Sequence, residues 1–304
     1  MKNNIIAILV TVVVVLGGYF IIESLSPTPE VSKVSSVATS TPFNNESTTE
    51  TSTTTQDKEQ SIIGKSIDGR DIIAYHFGKG NEEIIFIGGI HGGYSWNTTL
   101  VAYETIDYLK ANQSVIPENI KVTVIPILNP DGLYKVVGKT GRFTATDVSS
   151  SQATQISGRF NANNVDLNRN FDCDWQTSAK WQNTTVSGGN STFSEPESLA
   201  IKNYIEAQKP KALVVWYSAA GGVYASNCGG SILAETSSIT NIYAKASGYP
   251  SFQNFDFYTT TGDMVNWLAK KEIPAISVLL TNHTDTEWTK NQKGIDALLQ
   301  HYAK

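Results

Sequence analysis

The chain is short of histidine, of cysteine and of positive charge, and each shortage closes off a class of function. Lys and Arg total 23 against 28 Asp and Glu, a net charge of −5, so the composition carries no electrostatic footprint for a phosphate backbone and argues against nucleic acid as a partner. Two cysteines, Cys173 and Cys228, cannot build a metal module of four thiolates. Any metal site must draw on the four histidines, His76, His91, His283 and His301, on those two thiols or on carboxylates. What is present, 40% hydrophobic and 10% aromatic residues with 17% charged, fits a folded globular protein.

The first segment differs from the rest. Residues Ile5 to Ile22 form an uncharged apolar run of about 18 residues, close to the length that crosses a bilayer core. Residues 1–23 therefore read as a transmembrane signal anchor. A cleaved signal peptide is the competing reading, but the nearby small-residue triplet Ser24-Leu25-Ser26 runs into Pro27 and matches a cleavage site poorly. Lys2 and the terminal amine put the short end in the cytoplasm, which places the remainder on the extracytoplasmic side of the cell membrane as a single-pass protein. Residues 24–60, with Pro27, Pro29, Pro42 and the run STTETSTTT, are too poor in apolar groups to offset the entropy of ordering and read as a disordered linker.

Residues 61–304, about 240 in number, are enough for one α/β domain. Ile84–Gly89, Lys121–Leu128, Ala212–Tyr217 and Ala275–Leu280 are short, β-branched and bounded by Gly, Pro or Asn, as buried strands are. Helical spacing falls between them at Thr98–Lys110, Glu195–Gln208 with Ser194 as the expected N-cap, Thr261–Lys271 and Asn291–Tyr302. The alternation predicts a single domain with a mixed, mainly parallel central sheet covered by helices on both faces, its site beyond the strand C-termini. Polar, glycine-rich loops follow the strands: GGIHGGYSWNT with His91, the NPDG turn, and GRFNANNVDLNRNFDCDW with Arg159, Asn168 and Arg169. Two arginines and an asparagine in one segment suit a carboxylate pocket, although Asn and Asp also serve loop packing.

In order along the chain, IGKSIDGRDI, GGIHG, ILNPDG, VDLNRNF, FSEPES, WYSAAGG, YTTTGD and IPAISVLLTNH give residues 61–304 a resemblance to the carboxypeptidase A-like zinc metallocarboxypeptidases. The resemblance implies zinc as cofactor, with His91 at the first ligand position. It also implies that Arg159 polarises the scissile carbonyl, that Asn168 and Arg169 hold the substrate's terminal carboxylate, and that Tyr258 closes over the substrate.

The catalytic half departs from that pattern. The family's acidic ligand position falls on Tyr94 or Ser95, the second histidine position on Tyr217, and the general-base position on Leu279, none of them carrying the required group. Structural zinc binding is worth roughly 10–16 kcal/mol when all ligands are present, and one protein ligand in place of three forfeits most of such affinity. Loss of the general base costs a further factor of roughly 10²–10⁴. The sequence thus predicts a pseudoenzyme that binds a peptide C-terminus or cell-wall peptide carboxylate. Two readings compete with it: an active peptidase with a metal site rebuilt from Tyr217, His283, Asp285 and Asp263, and a structural or partner-binding surface domain. Tyr94, Trp96 and Tyr224 are expected to pack rather than to stack on substrate, and His76 and His301 to be surface or packing residues. An oxidising compartment permits a Cys173–Cys228 disulfide; two buried thiols are the alternative.

Overall fold

The computed structural model describes residues 59–304, so the expected signal anchor and all but the last two residues of the expected linker lie outside the described residues. Among the described residues no helix is long and apolar enough to cross a membrane. In chain order the elements are β1 (Gln60–Lys65), β2 (Asp71–Phe77), β3 (Glu82–Ile87), α1 (Trp96–Ala111), β4 (Ile120–Ile125), α2 (Pro130–Val137), α3 (Gln152–Ser157), β5 (Ser178–Trp181) and β6 (Thr184–Ser187). They continue with α4 (Pro196–Gln208), β7 (Ala212–Ser218), β8 (Gly222–Ala225), α5 (Ala234–Ser247), β9 (Ser251–Phe252), α6 (Met264–Lys270), β10 (Ala275–Leu280) and α7 (Trp288–His301). The first strand opens at Gln60, inside the stretch read from sequence as linker.

The main sheet has eight strands in the order β1-β2-β4-β3-β7-β10-β8-β9. β4, β3, β7 and β10 run parallel at its centre, whereas β1, β2 and β8 pair antiparallel. The sheet is therefore mixed. Because side chains alternate along a strand, β3 feeds both faces. Ile84 and Phe86 pack with Val101 and Ile106 of α1, Tyr243 of α5 and Leu298 of α7, while Ile85 and Ile87 pack with Ile201 of α4 and Trp267 of α6. Burying each such side chain is worth roughly 1.5–3 kcal/mol, which is why the central strands are continuous apolar runs.

Helix starts differ in detail from the sequence reading. Ser194 does not cap α4: the cap position is Glu195, without a side-chain cap bond, Pro196 fills the first turn, and Ser194 Oγ instead donates to Glu195 Oε1 at 2.8 Å. The NPDG turn opens α2, with Asn129 Oδ1 accepting from Gly132 N at 2.8 Å. α6 begins three residues later than the spacing predicted, because Asp263 caps it by accepting from Asn266 N.

Candidate functional site

The C-terminal ends of β3, β7 and β10 converge with the 158–171 segment on a cavity of about 700 Å³. Each contributes for a local reason. After β3 the chain turns at Gly89, whose φ of +63° suits glycine, and delivers His91 to the floor. β7 and β10 pair in register, so Tyr217 and Leu279 stand side by side and both line the cavity. The loop before α6 docks on the arginine segment through Gly262, where an added Cβ would lie 2.2 Å from the Arg169 carbonyl oxygen. Phe171 N bonds to Gly262 O at 3.0 Å and Gly262 N to Cys173 O at 2.7 Å.

Asp166 organises the centre. It is fully buried and accepts from Arg159 Nε at 2.9 Å through Oδ2, with Arg159 Nη2 2.8 Å from the same oxygen; its Oδ1 takes Asn168 N and lies 3.6 Å from His91 Nε2. Burial by itself would raise this carboxyl, but the Arg159 and Arg169 guanidiniums outweigh it and hold it down at about 2. Arg159, 2% exposed, is also covered by Trp181, whose ring centroid is 4.4 Å from the guanidinium carbon, and more distantly by Tyr94 at 5.6 Å. Trp181 comes from the β5–β6 hairpin.

Arg169, 1% exposed, is held differently. Its Nε donates to Lys180 O at 2.9 Å, its Nη1 to Asn168 O at 2.6 Å, and it hydrogen-bonds with Tyr258. Burial works against its charge, but Asp166, Tyr258 and Asp263 more than compensate and raise its pKa. Among the described residues no carboxylate forms an ion pair with it. The neighbouring Asn168 is largely committed to the scaffold: Nδ2 donates to Asp263 Oδ2 at 2.7 Å, and Oδ1 accepts from Met264 N at 3.0 Å and from Tyr217 Oη at 3.4 Å. One Nδ2 hydrogen is left to offer a ligand.

His91 is buried, and neither ring nitrogen has a hydrogen-bond partner. Burial and Arg159 push its pKa well below the ordinary histidine value, against a smaller opposing effect of Asp166, so the ring is neutral. An unpartnered neutral imidazole is a suitable first metal ligand. Among the described residues, the family's other ligand positions carry no zinc donor. Tyr217 has its ring centroid 5.6 Å from that of His91, and burial keeps its phenol protonated far above neutrality. Tyr94 packs edge-on to Trp181 and against His283, Ser95 is buried, and Leu279 carries no donor. The proposed rebuilt set does not assemble either: Asp263 caps α6, and Asp285 Oδ1 accepts from Glu287 N. Among the described residues only Cys173, Asp174 and Cys228 cluster closely enough to hold a metal, and the two sulfurs are bonded to each other. The donor set does not fit zinc.

Trp96 packs in the core beside Phe143, and Tyr94 and Tyr224 also pack as expected, Tyr94 on Trp181 and His283 and Tyr224 stacked on Phe252, while both line the cavity. His76 sits between strands, bonded to Ser61 and Thr123, and His301 pairs with Glu235 at the surface. Cys173 and Cys228 form a disulfide beside the cavity, their Cα atoms 5.8 Å apart. Sequence reasoning missed Asp166 and Trp181. Asp166 was visible in VDLNRNF, since two buried arginines call for a buried anion; Trp181 has no motif and reaches Arg159 only through the hairpin.

A family model described as zinc carboxypeptidase matches residues 48–296, and the chain belongs to that family. Human carboxypeptidase Z is 33% identical over 122 residues, covering 36% of this chain and 17% of its own length. The human carboxypeptidase N catalytic chain is 26% identical over 186 residues, 57% of this chain and 38% of its own. The chain thus spans well under half of these relatives. Among solved structures, the murein-tripeptide amidase MpaA from Escherichia coli O157 aligns with a TM-score of 0.56 at 18% identity, over 81% of this chain and 93% of its own. Thrombin-activatable fibrinolysis inhibitor aligns at 0.63 and 15% identity, over 80% and 71%. At such identities these structures establish the fold alone.

Proposed function

We propose that this domain recognises the terminal carboxylate of a peptide, including a cell-wall peptide, without zinc-dependent hydrolysis. One observation carries the reading. Arg169 is a buried guanidinium in the cavity whose direct partners are carbonyls and a phenol; Asp166 and Asp263 support its charge from longer range, and among the described residues no carboxylate bonds to it directly. An incoming carboxylate supplies that direct partner, with the spare Asn168 N–H and Tyr258 beside it. The likeness to a murein-tripeptide amidase favours a cell-wall peptide. The apolar run at Ile5–Ile22 supports anchoring in the membrane with this domain outside, and the disulfide suits an oxidising compartment. The unpartnered nitrogens of His91 favour a second reading, an active metallopeptidase, but the missing donors around it weigh against that.

The test is isothermal titration of the full chain, in chelator, with stem and other short peptides carrying either a free C-terminal carboxylate or an amide. A charge-assisted contact worth roughly 1.5–3 kcal/mol predicts at least tenfold preference for the carboxylate, lost in Arg169→Ala. Equal binding of both forms, or an unchanged Arg169→Ala, refutes the reading.

A further inference from the structure

A second chemistry-bearing group lies on the same cavity wall. Ser218, the last residue of β7, and His283, in the loop after β10, both line the cavity, and Ser218 Oγ is 3.1 Å from His283 Nδ1. The third member of the cluster is Asn97. Its Nδ2 donates to the carbonyls of Asn282 at 2.8 Å and Asp285 at 2.9 Å, which fixes the amide, and its Oδ1 accepts from the Ser218 hydroxyl at 3.1 Å. Those two donations also tether the loop that carries His283 to the start of α1. The His283 imidazole further bonds to the backbone carbonyl of Tyr94. With the single proton of a neutral ring committed to that carbonyl, Nδ1 presents a lone pair 3.1 Å from Oγ, and rotation of the Ser218 hydroxyl carries its proton from Asn97 Oδ1 onto it.

We propose that Ser218 and His283 form a metal-independent acyl-transfer pair acting on esters that enter the cavity. A hydroxyl within hydrogen-bond reach of an imidazole that is itself oriented by a third group is the arrangement an activated serine requires. Ser218 Oγ adds to the ester carbonyl carbon while its proton passes to Nδ1. The bond to the leaving alkoxide then breaks, and that oxygen takes the proton from His283. Water next adds to the acyl-serine, giving one proton to His283; Ser218 leaves with that proton and the acid is released. Arg159 lines the same cavity and its charge is felt at His283, so positive potential is in place for the oxyanion. The groups facing His283 are Ser218, Tyr94 and, at longer range, Arg159 and His91. Because a backbone carbonyl rather than a carboxylate orients the ring, the matched substrate is an ester and not the less reactive amide.

The experiment is phosphonylation of the full chain by a fluorophosphonate probe in excess chelator, mapped by peptide mass spectrometry. In this reaction Ser218 Oγ attacks phosphorus and fluoride departs, so neither a metal nor a carboxylate ligand is needed, and the outcome is separate from the binding reading. The expected result is one adduct on Ser218, abolished in Ser218→Ala and at least tenfold slower in His283→Asn, with circular dichroism showing both variants folded. His283→Gln serves as a second variant should His283→Asn fail to fold. No adduct at Ser218, or an undiminished rate in the folded His283 variant, overturns the proposal.

Discussion

Replacing Asp166 by asparagine removes the carboxylate on which the site is assembled, and the structure sets the size of the effect. The carboxyl is buried and held down at about 2 rather than 3.8, a drop worth roughly 2 kcal/mol at ~1.36 kcal/mol per pH unit. Its folded pKa is depressed, so this contribution is fully present above the unfolded value and is lost as pH falls through about 2. The substitution also leaves Arg159 buried without its ion-pair partner, and breaking such a pair costs roughly 3–5 kcal/mol in all. For a domain of this size that is a fall in Tm of roughly 6–20 °C. The assay is urea denaturation of wild type and Asp166→Asn between pH 7 and pH 2. The gap is predicted to be full at pH 7 and to narrow toward pH 2, and adding Arg159→Met to the variant is predicted to recover part of the loss. A loss below about 1 kcal/mol at pH 7, or a gap independent of pH, would refute the idea that a buried carboxylate compensates the arginine.

Two further predictions rest on groups outside the cavity. Glu197, buried in the first turn of α4 and bonded to Ile67 N and Asn161 Nδ2, is pushed up by burial from 4.5 to about 7. An acid whose folded pKa is raised loses stability as pH rises from 4.5 through 7, by up to about 3 kcal/mol, so Glu197→Gln should flatten the fall in Tm between pH 5 and pH 8; an unchanged slope counts against it. The Cys173–Cys228 disulfide spans a sequence separation of 55, for which loop-closure entropy gives at most about 4 kcal/mol. The Cys173→Ser, Cys228→Ser double variant should lose up to that amount in urea denaturation, and a gain in stability would count against it.

The sheet was legible because its central strands are buried on both faces, leaving uninterrupted apolar runs; β10 matches the sequence reading at both ends. Helix starts were less legible. Ser194 and Glu195 both offer cap chemistry, and only the fold of the 188–195 segment decides that Ser194 Oγ turns to its neighbour's carboxylate. At the site, motif order placed His91, Arg159, Asn168 and Arg169 around one cavity, since each follows a strand or lies in the loop packed on the strand ends. What stayed hidden depends on tertiary neighbours. Trp181 covers Arg159 across the hairpin, Ser218 at the end of β7 meets His283 in the loop after β10, and Asn168 commits most of its amide to the loop before α6 and to the start of that helix.

The central claim, that this carboxypeptidase fold lacks a competent zinc site, is tested most directly by zinc titration of the chelator-stripped full chain. The four-residue disagreement at Tyr94, Ser95, Tyr217 and Leu279 predicts no stoichiometric zinc at micromolar concentration, with Tyr94→Glu, Tyr217→His gaining affinity by restoring the missing donors around His91. One equivalent of tightly held zinc in the wild-type chain, lost in His91→Ala, would contradict the account.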